Sequence, residues 1–163
     1  MNREYENFTD RLIETGKKFK IEPVDIDDVL YTFPEIVLKF RLAFTDPKIR
    51  AILIPKDWKK DIPQSFGFCG IGSYSLKSIF PEITMDHTPN FKHAWNVIEK
   101  QRYDITGDQD DEETLKKYYA QSFNKQTEQF KRANAHIINV GMPIIQNSSQ
   151  IFMNKVFGWD VEK

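Results

Sequence analysis

Gln-Ser-Phe-Gly-Phe-Cys-Gly-Ile-Gly-Ser-Tyr-Ser-Leu at 64–76, His-Ala-Trp-Asn-Val-Ile at 93–98 and Arg-Tyr-Asp-Ile-Thr-Gly-Asp-Gln at 102–109 decide how this chain reads. The first stretch holds its only cysteine, Cys69. Beyond it, Ile71, Tyr74, Leu76, Ile79 and Phe80 recur at helical spacing until Pro81, which predicts a helix headed by Cys69 despite Gly70 and Gly72. A side chain there meets the positive end of the helix dipole, which favours negative charge. Residues 93–98 and 102–106 predict a β-hairpin whose turn lacks glycine, asparagine and proline.

A lone thiol, then a histidine opening one strand, then an aspartate in the next is an order in which thiol enzymes supply nucleophile, base and orienter. Cys69 and His93 fill the first two roles, and Asp104 and Asp108 both qualify chemically for the third. Hairpin register weighs them. A turn at Val97–Lys100 sets His93 opposite Asp104, whereas a turn two residues later sets it opposite Asp108 and keeps Val97 and Ile98 inside a strand, so pattern alone leans to Asp108. Gln64 carries an amide able to bind a developing oxyanion together with the Cys69 backbone N–H, and Gly67 and Gly70 permit close approach of a substrate.

Each residue also has a plainer reading. Cys69 among Phe66, Phe68 and Ile71 suits a small buried hydrophobe, His93 can serve a backbone carbonyl, and Asp104 can end a hairpin. The three histidines and one cysteine show no metal-ligand spacing, so neither a metal nor another cofactor is expected, and Asp108 to Glu113 reads as a solvated helix start. With 23 basic and 24 acidic residues there is no electrostatic footprint for nucleic acid or an anionic membrane. A single cysteine, a charged N-terminus and the absence of a long apolar run predict a cytoplasmic protein without a membrane span.

Working outward, 163 residues with 40% apolar content predict one domain over 1–163 with a packed core. Tyr5, Phe8, Leu12, Gly16 and Phe19 predict an amphipathic helix over about 3–20; Asp25 to Tyr31 reads as a short helical turn, and Pro34 opens a helix carrying Ile36, Val37, Phe40 and Phe44, ended by Asp46-Pro47. Ile49 to Ile54 reads as a strand, Pro55 to Pro63 and Glu82 to Phe91 as loops. Leu115 through Ile137 predict one long helix stopped by Gly141-Met142-Pro143, and Asn147 or Ser148 caps a last one. Helices flanking a small antiparallel sheet make an α+β fold.

Cys-Gly on a Ser/Leu-bearing helix, followed by His-Ala-Trp-Asn-Val-Ile and Tyr-Asp-Ile-Thr-Gly-Asp-Gln, resembles the core of the YunG-like group of uncharacterised bacterial proteins. It is similar, more distantly, to the transglutaminase-like branch of papain-fold thiol enzymes, over about residues 65–109. The resemblance implies a papain-like core, with Cys69 as nucleophile, His93 as base and Asp104 as orienter, since Asp104-Ile105-Thr106 matches Asp-x-Thr. Asp104 thereby displaces Asp108, which stays as the alternative, and Gln64 falls near the family's oxyanion glutamine. A cysteine-dependent acyl-transfer enzyme acting on a peptide, protein or amide is the implied function. A binding protein or a pseudoenzyme that keeps the fold is the alternative.

Overall fold

The computed structural model describes residues 3–57 and 64–160; Trp58 to Pro63, most of the predicted 55–63 loop, lie outside them. Helix α1 (Arg3–Gly16) buries Tyr5, Thr9 and Leu12 against α2 (Phe33–Phe44). Between them the predicted helical turn is instead a hairpin, β1 (Val24–Ile26) and β2 (Val29–Tyr31), paired Ile26 to Val29. Asp27 and Asp28 take φ of 53° and 66°, the left-handed pair that a two-residue hairpin turn requires and that aspartate tolerates. Helix α2 begins with a capping box in which Thr32 and Glu35 bond each other's backbone N–H.

Asp46-Pro47, read as a terminator, also starts a helix. Asp46 accepts from the Lys48 N–H at 2.8 Å and Pro47 occupies the first turn of α3 (Pro47–Leu53), so the expected strand at Ile49–Ile54 is helical. Only Ile49 of this helix is buried, and among the described residues no strand pairs with it. Helix α4 (Cys69–Ile79) runs as expected.

The 82–91 segment contains a strand, β3 (Thr84–His87), which pairs antiparallel with β4 (Ala94–Ile98). Thr-Met-Asp-His carries no apolar alternation, so pairing rather than pattern makes it a strand. The hairpin of β4 with β5 (Gln101–Tyr103) has the register Ile98 to Gln101, between the two registers weighed from sequence. Glu99 and Lys100 supply the turn with φ of 50° and 67°, a two-residue left-handed turn built without glycine. The sheet order is β3-β4-β5, with α4 packed on it.

The single long helix is three: α5 (Glu112–Ala120), α6 (Glu128–Ala133) and α7 (Ala135–Phe157). Tertiary bonds break it. Buried Asp86 of β3 accepts from the Ser122 hydroxyl and from the Asn124 N–H at 3.1 Å, and the Phe123 N–H donates to the His87 carbonyl at 2.8 Å, which pulls 122–124 out of helix. Gly141-Met142-Pro143 lies inside α7 rather than stopping it, and Asn147 and Ser148 cap nothing. Pro143 and Asn139, whose carbonyl loses its partner, are both exposed, so the break falls on the solvent side of the helix rather than in the core. Removing the Asp86 carboxylate leaves those donors buried and unpaired. Asp86→Ala is expected to lose about 1–3 kcal/mol of stability, read as a lowered urea midpoint with unchanged slope.

The core joins both halves. Phe33, Phe40, Phe44, Phe68, Phe80 and Phe152 are all essentially inaccessible, with Phe44 stacked on Phe68 at 4.6 Å between ring centroids. Phe68 immediately precedes Cys69, so packing of α2 against α7 fixes where α4 begins. Among the described residues no helix is long and apolar enough to cross a membrane.

Candidate active site

Cys69 is the first residue of α4 and is partly exposed. Gly67, at φ 89°, makes the turn that delivers it, a conformation suited to glycine. The helix has no side-chain cap at Phe68, so the backbone N–H groups of its first turn point out of the helix end unclaimed by a cap. Gly72 sits where an added Cβ would lie 3.0 Å from Phe44 and 3.2 Å from Ile105, which lets α4 close against the core.

His93, just before β4, is fully buried. Its Nε2 lies 2.5 Å from Asp104 Oδ2, its Nδ1 faces the Gln109 amide, and Cys69 is near enough to act on the charge of the ring. Thus the structure brings Cys69, His93 and Asp104 together. Continuing the observed register sets Asp104 across from Trp95, making His93 its diagonal neighbour on the same face, within reach of two side chains without direct opposition. Asp104 is held in turn by the Tyr119 hydroxyl, which donates to Oδ2, and by the Thr106 N–H on Oδ1 at 3.2 Å. Arg102 lies 3.6 Å over the Tyr119 ring, and Tyr118 stacks on the His93 imidazole.

Asp108 does something else. Both its oxygens bind the fully buried Arg41 of α2 at 2.8 Å, and Oδ1 also accepts from the Ser65 hydroxyl at 2.7 Å, so it is not beside His93. The same guanidinium donates to the Ile105 carbonyl at 3.1 Å, to Tyr5 and to Thr9. Arg41 therefore anchors the loop that carries Asp104 and ties it, through Ser65, to the segment leading to Cys69. Gln64 does not reach the cavity at Cys69: its backbone carbonyl accepts from Arg50 at 2.6 Å, while its side-chain oxygen is buried without a partner.

Sequence reasoning assigned no role to Gln109, Arg41 or Tyr119. Gln109 is 6% exposed, lines the cavity at Cys69, and sets Nε2 2.7 Å from His93 Nδ1. Its Oε1 is buried without a partner. In this orientation the amide suits a neutral ring, and turned over it presents the oxygen to an imidazolium. Its signal was its place at the end of the Asp-Ile-Thr-Gly-Asp-Gln string, whereas Arg41 inside an apolar helix was a buried charge that periodicity does not flag.

Burial opposes charging of His93, but the hydrogen bond to Asp104, the Asp104 charge and the influence of nearby Cys69 outweigh it, pushing its pKa up to about 10 from 6.5. The folded state then binds the proton more tightly than the unfolded chain. The stability this confers is complete below pH 6.5 and is lost as pH rises toward about 10. Urea unfolding of the protein and of His93→Gln is expected to show a difference that shrinks across that window. A difference constant with pH would contradict the assignment.

The cavity beside Cys69 has a volume of about 510 Å³ and is walled by the first turn of α4, the Phe91–Lys92 turn, Gln109 and Tyr118, and the Ile144–Ser148 face of α7. Among the described residues no cluster of three His, Cys, Asp or Glu side chains gathers as metal ligands. Compared with known proteins, the chain matches no family model, no curated protein and no solved structure.

Proposed function

We propose that the chain is a cysteine-dependent acyl-transfer enzyme, built on a core like that of the papain and transglutaminase-like thiol enzymes, with Cys69 as nucleophile, His93 as proton carrier and Asp104 as orienter. One observation carries the reading: a buried imidazole held by Asp104 lies near enough to the only thiol of the chain for the two to act on each other's charge, and that thiol lines a cavity. In that arrangement Cys69 Sγ attacks a carbonyl carbon and His93 delivers a proton to the departing group. In this reading the uncapped backbone N–H groups of the first turn of α4, rather than Gln64, serve as donors to the developing oxyanion. Water or an amine then attacks the thioacyl carbon and releases Cys69.

The placement of Gln109 favours a second reading, a binding protein that keeps the constellation without turnover, because its amide occupies the His93 nitrogen not used by Asp104. Incubation with p-nitrophenyl acetate separates the two. The enzyme reading expects a burst of nitrophenol and an acetyl adduct on Cys69, both absent in Cys69→Ser, with the adduct then cleared as acetate by water or as an amide by an added amine. No adduct on Cys69 favours the binding protein.

A further inference from the structure

A second cavity of about 460 Å³ adjoins the one at Cys69, sharing Phe91, Ile144 and Ile145 as walls. It runs along α7, where Ile137, Val140, Gly141, Ile144 and Ile145 recur at helical spacing on one face. Val140 and Ile144 are 68% and 64% exposed, the most open apolar side chains of that helix. Ile145 fixes the near end: an added Cβ on Gly70, the neighbour of Cys69, would lie 3.3 Å from its side chain. The face from Ile145 back to Ile137 is about 12 Å long at the rise of an α-helix.

Phe91 is the shared wall, and it is held there against local preference. Its backbone is left-handed at φ 56°, its ring stacks on His87 at 4.1 Å, and Gly141 clears the space for it, since a Cβ there would lie 2.8 Å from the ring. The groove offers few polar partners. Asn90 Oδ1 is taken by the Thr88 hydroxyl and the Lys92 N–H, His136 stands at the far end, and among the described residues no strand contributes to the walls, so a peptide lying there would find no ladder for its backbone groups. A hydrocarbon chain needs none.

We infer that the Cys69 site takes a small-molecule ester or thioester of a medium-length aliphatic acid, whose chain passes Phe91 and lies along the Ile145–Ile137 face of α7. This rests on the reading of Cys69 as an acyl acceptor. The Sγ–C bond forms as the bond from the carbonyl carbon to the leaving oxygen or sulfur breaks, with the proton passing from His93 to that leaving atom. Water then adds to the carbonyl carbon, its proton passes to His93, and the Sγ–C bond breaks to release the acid.

The test is acylation of the full chain by p-nitrophenyl acetate, hexanoate and decanoate below their micelle concentrations, with Cys69→Ser as the blank. The specific rate is expected to rise about two- to fourfold per added methylene. Val140→Asp and Ile144→Asp change exposed side chains and so leave folding intact; each is expected to cut the decanoate-to-acetate ratio about tenfold or more. A flat series, an unchanged ratio in both variants, or faster reaction with a dipeptidyl ester than with the decanoate overturns the aliphatic arm. If no ester reacts at Cys69, the acyl-transfer reading itself falls.

Discussion

Asp104→Asn is expected to slow acylation of Cys69 by about 10²- to 10⁴-fold while the protein stays folded. The carboxylate does two things that an amide cannot do together. It accepts from His93 Nε2, fixing the ring's orientation, and it accepts from the Tyr119 hydroxyl on the same oxygen. An asparagine that turns its nitrogen toward His93 selects the wrong tautomer, and one that turns its oxygen there no longer balances an imidazolium. The side chain is only 8% exposed, so water does not take over either task. Asp108→Asn is expected to retain most of the rate, because Asp108 faces Arg41 and Ser65. Measuring the nitrophenol burst for both variants at equal concentrations of folded protein checks the pair. Equal loss in both would remove Asp104 from its special place.

The second large effect is on stability. Asp108→Ala leaves the Arg41 guanidinium fully buried with neutral partners, Thr9 and the Ile105 and Tyr5 carbonyls, and is expected to cost about 3–5 kcal/mol. That is a large share of the roughly 5–15 kcal/mol that holds a typical domain, so the folded margin narrows sharply. Replacing both partners, Arg41→Met with Asp108→Ala, removes the stranded charge and is expected to recover much of the loss. Urea midpoints of the three proteins decide it: a double variant no more stable than Asp108→Ala would mean that the ion pair is not what holds the loop. Because this loop carries Asp104 and Gln109, Asp108→Ala should also weaken acylation in whatever fraction stays folded.

Where local chemistry alone sets an element, the sequence was enough. Pro34 and the apolar spacing behind it place α2, and Cys69 through Pro81 place α4. Reading failed where partners distant in sequence decide. Thr84 to His87 becomes a strand by pairing with β4, and Asp86 turns 122–124 out of helix from 36 residues away. Left-handed aspartates and a Glu-Lys turn escaped signals tuned to glycine and asparagine, and the latter shifted the hairpin register by one step from each expectation. The choice of Asp104 was legible through motif rather than register. Arg41 and Tyr119 were not legible, because their roles depend on buried contacts that no spacing encodes, and Gln109 showed only as the end of the Asp-Ile-Thr-Gly-Asp-Gln string.

The most direct measurement is the rate at which iodoacetamide alkylates Cys69 near neutral pH, in the protein and in His93→Ala, against a free thiol such as N-acetylcysteine. An imidazole near the thiol and braced by Asp104 predicts alkylation faster than the free thiol, falling by about tenfold or more in His93→Ala. Rates equal to the free thiol in both proteins would contradict it, leaving Cys69 as a residue at a cavity mouth with no partner in chemistry.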